Sequence, residues 1–318
     1  MTIENEFILV VSCPDQPGIV HAVSGFLLQH RLNIVDSQQF GDPTSKRFFM
    51  RVHFEQTVTR LTNTDIPSDL ASSLTNGSAD TSGQGLVSLV SVASLKAEFE
   101  SVAAPLAMDY EFTSAAAKPR VLILVSKIGH CLNDLLFRQS IGQLNITVPL
   151  IVSNHNDFQS LAQSYNIPFI HLPTNGTPES KQTQEARILE LIDEHVIDLV
   201  VLARYMQILS PSLCEKMSGK IINIHHSFLP SFKGAKPYHQ AYDRGVKIIG
   251  ATAHFVTSDL DEGPIIEQNV VRVNHVLSPK ELTAQGSDVE RNVLATAVKW
   301  VSEKRVLLNG QKTVVFNS

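Results

Sequence analysis

The chain has 318 residues, 43% of them hydrophobic, and a formal net charge of -5 at pH 7. That length makes about two domains, each large enough for its own core, and a mildly acidic balance excludes a general electrostatic attraction to nucleic acid or an anionic membrane. Three separated cysteines, Cys13, Cys131 and Cys214, with no C-x-x-C pair, exclude a disulfide framework and a thiolate zinc site. The first residues, MTIENEFILVV, carry no basic n-region, and no apolar run is long enough to span a bilayer. A cytoplasmic, non-membrane protein acting on a small molecule is expected.

From the N-terminus, FILVVSC reads as a strand, broken at Pro14 to Gly18, and Ile19, Val23, Phe26 and Leu27 follow at helical spacing. A second strand, the turn GDPTS and the alternating run KRFFMRVHFEQ come next. A helix around SLKAEFESVAAPL and a strand around MDYEF complete a βαββαβ order, which predicts a ferredoxin-like domain over 1–113. Within it, about 60–90 is rich in Ser, Thr, Asn, Asp and Gly and reads as a mobile insertion. Small and polar residues over 114–119 read as a linker.

Over 120–318 the texture changes. VLILV, VPLIVS, PFIHL, IDLVVLA and KIINIH are short runs apolar throughout, most pairs being separated by an amphipathic helical stretch. Strands buried on both faces have this composition, and their alternation with helices predicts a doubly wound, mostly parallel, Rossmann-like α/β sheet. In such sheets ligands gather beyond the carboxyl ends of the strands, where NIHHS falls. KIIGATAHFVT and GPIIEQNVVRV then read as an added hairpin, ahead of a C-terminal helix around SDVERNVLATAVKWVSEK.

Asn223 and His225 are two apart, so side-chain alternation puts both on one face while His226 points elsewhere. A carboxamide beside an imidazole suits an oxygen that gains charge in acyl transfer; the same pair at a strand end also serves simply to tie down a loop. His254, Asp259, Asp261 and Glu262 gather at the turn of the proposed hairpin. Acids there commonly cap backbone amides, yet acyl transfer also needs a proton acceptor, which Asp261 supplies. His225, His226, His254 and Asp261 are metal-ligating types, but adjacent strand residues diverge and make awkward ligands. Cys131 reads as a small buried thiol. Lys233, Lys236 and Arg244 are candidate receivers of an anion, though basic residues on a loop are ordinarily just solvated. No H-E-x-x-H, G-x-S-x-G or Walker loop is present.

The run NIHHSFLPSFKGAKPYHQAYDRGVKIIGATAHFVTSDLDEGPIIEQ resembles the signature of the formyltetrahydrofolate-using enzymes. Within them it is most similar to the formyltetrahydrofolate deformylase family, which hydrolyses 10-formyltetrahydrofolate to formate and tetrahydrofolate and so supplies formate for purine biosynthesis. The resemblance implies that Asn223, His225 and Asp261 are catalytic, with no metal and no cofactor besides the folate substrate. It implies that Met206, Gln207, Ile208 and Leu209, within ARYMQILS, bind the pterin. The segment PDQPGIV resembles an ACT domain, which implies an amino-acid effector near Asp15, Gln16 and Gly18 and a homo-oligomer. Related transferases carry a glycine-rich phosphate loop where this chain has VSKIGHCLNDLL, and commonly a proline where it has His226. Water is therefore the expected formyl acceptor; the alternative is a formyltransferase passing the group to an amine.

Overall fold

The computed structural model describes residues 5–56, 90–229 and 237–317, and the chain divides into two compact units, 1–117 and 118–318. The insertion expected over 60–90, save Val90, lies outside the described residues, as do Lys233 and Lys236.

The first unit runs β1 (Glu6–Pro14), α1 (Ile19–Gln29), β2 (Leu32–Asp42), β3 (Arg47–Gln56), α2 (Val92–Ala103) and β4 (Asp109–Ser114). Its strands form one antiparallel sheet in the order β2-β3-β1-β4, the expected ferredoxin-like arrangement. Inward-facing Leu9, Val11, Val52 and Phe54 bury against Val23 and Phe26 of α1 and Leu95 and Phe99 of α2. Phe99 meets Phe26 and Phe112 edge-on, with centroids 5.0 and 5.3 Å apart. The β2–β3 turn closes because Asp42 accepts the Thr44 amide at 2.9 Å, the local bond for which Asp is favoured in turns.

In the second unit β5 (Arg120–Val125), α3 (His130–Ser140), β6 (Thr147–Ser153), α4 (Gln159–Ser164), β7 (Phe169–His171), α5 (Pro178–Glu194), β8 (Leu199–Leu202), α6 (Pro211–Lys216) and β9 (Ile221–His225) alternate as strand and helix. Then follow α7 (Pro237–Asp243), β10 (Ile248–Phe255), β11 (Ile265–Arg272), α8 (Pro279–Ser302), β12 (Val306–Asn309) and β13 (Lys312–Val315). The main sheet has the order β11-β10-β9-β8-β5-β6-β7, parallel from β7 to β9 and antiparallel at β10 and β11. Along β5, Val121, Ile123 and Val125 enter one core while Leu122 and Leu124 enter the other, which is why the run is apolar throughout. Strand order reverses at β5, so the carboxyl ends of β5, β8 and β9 open onto one crevice. The hairpin β12–β13 turns at Gly310-Gln311 with Gly310 at φ 61°, a conformation glycine adopts without strain.

Candidate active site

Asn223 and His225 stand on the last residues of β9, opposite His254 and Thr252 of β10. A register shift between Ala253 and His254, a bulge of the kind that re-aims side chains, leaves His254 2% exposed beside Asn223. The His254 Nδ1–H donates to the Phe255 carbonyl at 2.8 Å, so its Nε2 is an acceptor, 3.3 Å from the Asn223 amide nitrogen. Burial pushes the His254 pKa down, although the Phe255 carbonyl and the Asp261 charge oppose it. A neutral His254 therefore holds one N–H of the Asn223 carboxamide and fixes its plane. The sequence places His254 among the polar residues near the turn; its part in orienting Asn223 depends on cross-strand register, which composition does not display.

Asp261 is delivered by the turn between β10 and β11. Its backbone sits at φ 58°, a left-handed conformation that Asp tolerates better than most residues. Two residues on, a Cβ on Gly263 would stand 1.7 Å from the Phe255 carbonyl oxygen, so only glycine lets the turn fold back against β10. That approach brings Asp261 Oδ1 to 3.2 Å from His225 Nδ1 and 3.8 Å from His254 Nε2. The hydrogen bond from His225, reinforced by the neighbouring imidazoles and only partly opposed by burial, holds the Asp261 carboxyl below its ordinary value. His225 is 5% exposed, and its Nε2 has no hydrogen-bond partner among the described residues. The three expected catalytic side chains thus meet on one cleft of about 260 Å³.

The cleft's other wall is the segment after β8. Met206, Gln207, Ile208 and Leu209 all line it. Both ends of this segment are pinned: Ala203 donates to the Leu124 carbonyl at 2.8 Å, the Met206 amide donates to Ser126 Oγ at 3.0 Å, and the Ser210 amide donates to Glu185 at 2.8 Å. Ser126 in turn donates to Asn154 at 2.7 Å. Between the pins, the backbone of residues 207–209 makes no hydrogen bond among the described residues. Met206 and Ile208 are 58% and 62% exposed. Unused backbone groups flanked by apolar side chains suit a flat heteroaromatic ring carrying donors and acceptors along one edge.

The alternation that sets Asn223 and His225 on one face does not extend to His226. Alternation holds only while the chain stays extended, and β9 ends at His225. Beyond that point His226 borders the cleft, its ring centroid 5.1 Å from that of His225. Burial, then the charges of Arg204 and His225, push its pKa down to about 4.

A second polar cluster was not legible in the sequence. Glu290 of α8 is 1% exposed; it accepts from His130 at 2.8 Å and from the Tyr238 hydroxyl at 2.5 Å, with Arg204 Nε at 3.5 Å. One turn earlier on the same helix face, a Cβ on Gly286 would strike the Tyr238 ring at 2.1 Å, so glycine lets that ring cross α8. Burial raises the Glu290 pKa, but the hydrogen bonds from His130 and Tyr238 and the Arg204 charge outweigh it and leave the carboxyl lowered. His130, Cys131 and Glu290 have metal-like proximity. Glu290 is already engaged, however, and burial pushes the Cys131 thiol up, which disfavours the thiolate a metal would need.

In the first unit, Asp15, Gln16 and Gly18 lie together on the exposed turn between β1 and α1. Gly18 caps α1 at φ 95°, the Asp15 amide donates to the Lys46 carbonyl at 2.9 Å, and Gln16 reaches the Leu106 carbonyl at 3.5 Å.

Comparison with known proteins agrees with both units. Residues 119–298 match the family described as formyl transferase, and residues 7–64 match the ACT domain. A formyltetrahydrofolate deformylase of Corynebacterium sp. (strain P-1) is 47% identical over 308 residues, 97% of each chain. The crystal structure of a formyltetrahydrofolate deformylase from Burkholderia mallei is 47% identical, covers 98% of this chain and 99% of its own, and superposes with a TM-score of 0.85. A glycinamide ribonucleotide transformylase from Symbiobacterium toebii is 28% identical with a TM-score of 0.60, covering 64% of this chain and 96% of its own. Two-domain organisation, full-length identity and the shape of the catalytic unit together make this chain a member of the formyltetrahydrofolate deformylase family.

Proposed function

We propose that the chain hydrolyses 10-formyltetrahydrofolate to formate and tetrahydrofolate, releasing formate for purine biosynthesis and balancing the one-carbon folate pools. The observation that carries this reading is the convergence of Asn223, His225 and Asp261 on one cleft, in a chain 47% identical to a formyltetrahydrofolate deformylase along its length. The formyl carbonyl lies against the free N–H of Asn223 and His225 Nε2, whose hydrogen bonds strengthen as the oxygen becomes negative; one such donor is worth about 3 kcal/mol. Asp261 accepts a proton from the attacking water and, through His225, returns it to the departing folate nitrogen. Gln207, Ile208 and Leu209 present backbone groups to the pterin, and Met206 covers its face.

The folate is substrate, and the reading calls on no other cofactor. Asp15, Gln16 and Gly18 are assigned to an amino-acid effector site on the ACT domain, in a homo-oligomeric cytoplasmic enzyme. Among the described residues no helix is long and apolar enough to cross a membrane. The competing reading, transfer of the formyl group to an amine, is separated by one assay. Enzyme and 10-formyltetrahydrofolate with no acceptor present are expected to yield formate and tetrahydrofolate in equal amounts over many turnovers. No formate until an amine is added would make the chain a transferase.

A further inference from the structure

We propose that His226 is a further catalytic residue, holding one hydrogen of the attacking water while Asp261 takes the other. This role deepens the hydrolase reading and rests on it. Two acceptors for two hydrogens leave the oxygen lone pair free to meet the formyl carbon, which is the arrangement a water nucleophile needs.

Position supports the role first. His226 borders the cleft together with Asn223, His225 and Asp261. It also borders a mostly apolar cavity of about 170 Å³ with Tyr238, Ile249 and Val270. Its ring makes no hydrogen bond among the described residues; its contacts are the tilted packing on His225 and the surrounding charges. His30 behaves differently: it uses both ring nitrogens, one on the Phe26 carbonyl and one on Glu98, each at 2.8 Å. With no bond to its ring nitrogens among the described residues, the half-buried imidazole of His226 is available to a polar group at the cleft.

The electrostatic setting is consistent. The groups acting on His226 are Arg204 and His225, which disfavour its cation, and Glu290 and Asp261, which favour it; burial decides the sum and keeps the ring neutral near pH 7, with a lone pair to offer. The clamp of Glu290 by His130, Tyr238 and Arg204 holds those charges in place behind it.

The step balances without any further reactant. The water oxygen bonds to the formyl carbon as one proton passes to Asp261, and the second hydrogen stays on the oxygen against His226. The C–N bond then breaks as the proton held by Asp261 is returned, through His225, to the folate nitrogen. The formic acid left behind ionises, its proton leaving through His226 to solvent.

The test compares water with hydroxylamine, which attacks a formyl group without needing its second hydrogen held and gives a formhydroxamate measurable by colour with ferric ion. In His226→Ala, formate release should fall about 100-fold, within the range for loss of one acid-base partner. The KM for 10-formyltetrahydrofolate and the rate of formhydroxamate formation should stay within about threefold of wild type. His226→Gln, whose amide oxygen accepts a hydrogen bond, should regain about tenfold over the alanine variant. Hydrolysis at the wild-type rate in His226→Ala overturns the role, as does an equal loss of both reactions in both variants. A wild-type enzyme that forms formhydroxamate but never formate overturns the hydrolase reading itself, and this role with it.

Discussion

Asp261→Asn is expected to lower kcat for formate release by about 10³-fold, within the span for a positioned proton acceptor, while the affinity for the folate stays near that of the wild type. The amide keeps the size of the carboxylate and the cleft keeps its wall, but the group can no longer take the water's proton or polarise His225 across the 3.2 Å contact. Stopped-flow formate release and equilibrium binding of tetrahydrofolate, measured on the same preparation, separate chemistry from binding. The pH dependence has a fixed sign. Because the His225 hydrogen bond depresses the Asp261 pKa, the carboxylate persists as pH falls through the range where exposed acids protonate, and the acid limb due to Asp261 lies below that range. Stability drawn from the pair is likewise present above the unfolded-state pKa and lost as pH falls through the lower folded value.

Asn223→Ala should cost about 10² to 10³ in kcat, the usual effect of removing one donor to a developing oxyanion. Much of that loss should follow from His254 as well, since the carboxamide is held in plane by the 3.3 Å contact to a neutral imidazole that already spends its own N–H on Phe255. Turnover at saturating folate is the measurement, because a donor used only as charge develops lowers kcat and leaves KM almost unchanged. A variant that instead raised KM with kcat intact would assign Asn223 to ground-state binding.

Much of the fold could be read from the chain because its signals are local. The all-apolar β5 run announces a strand buried on both faces, and the alternation of β3 announces one in an antiparallel sheet. The β12–β13 hairpin went unread because its strands are four residues each and follow directly on the C-terminal helix pattern. For the site, Asn223 and His225 follow from period two, but Asp261 joins them only through a turn that Gly263 allows to fold back on Phe255. For His226 the period-two rule gives no placement, because the strand ends one residue before it. Glu290 was invisible for a different reason: on a helix it is one more acid, and its burial is decided by His130, Tyr238 and Arg204 arriving from distant parts of the chain. Pairwise long-range convergence of that kind leaves no periodic trace.

The central claim is that carboxamide, imidazole and carboxylate act as one unit on a single formyl carbon. A double-variant cycle tests it most directly: acceptor-free formate release by His225→Ala, by Asp261→Asn and by the two combined. Residues that work together are expected to be non-additive, the combined variant being no more than about threefold slower than the slower single one. Losses that multiply in full would mean that His225 and Asp261 serve separate steps, and would contradict the account.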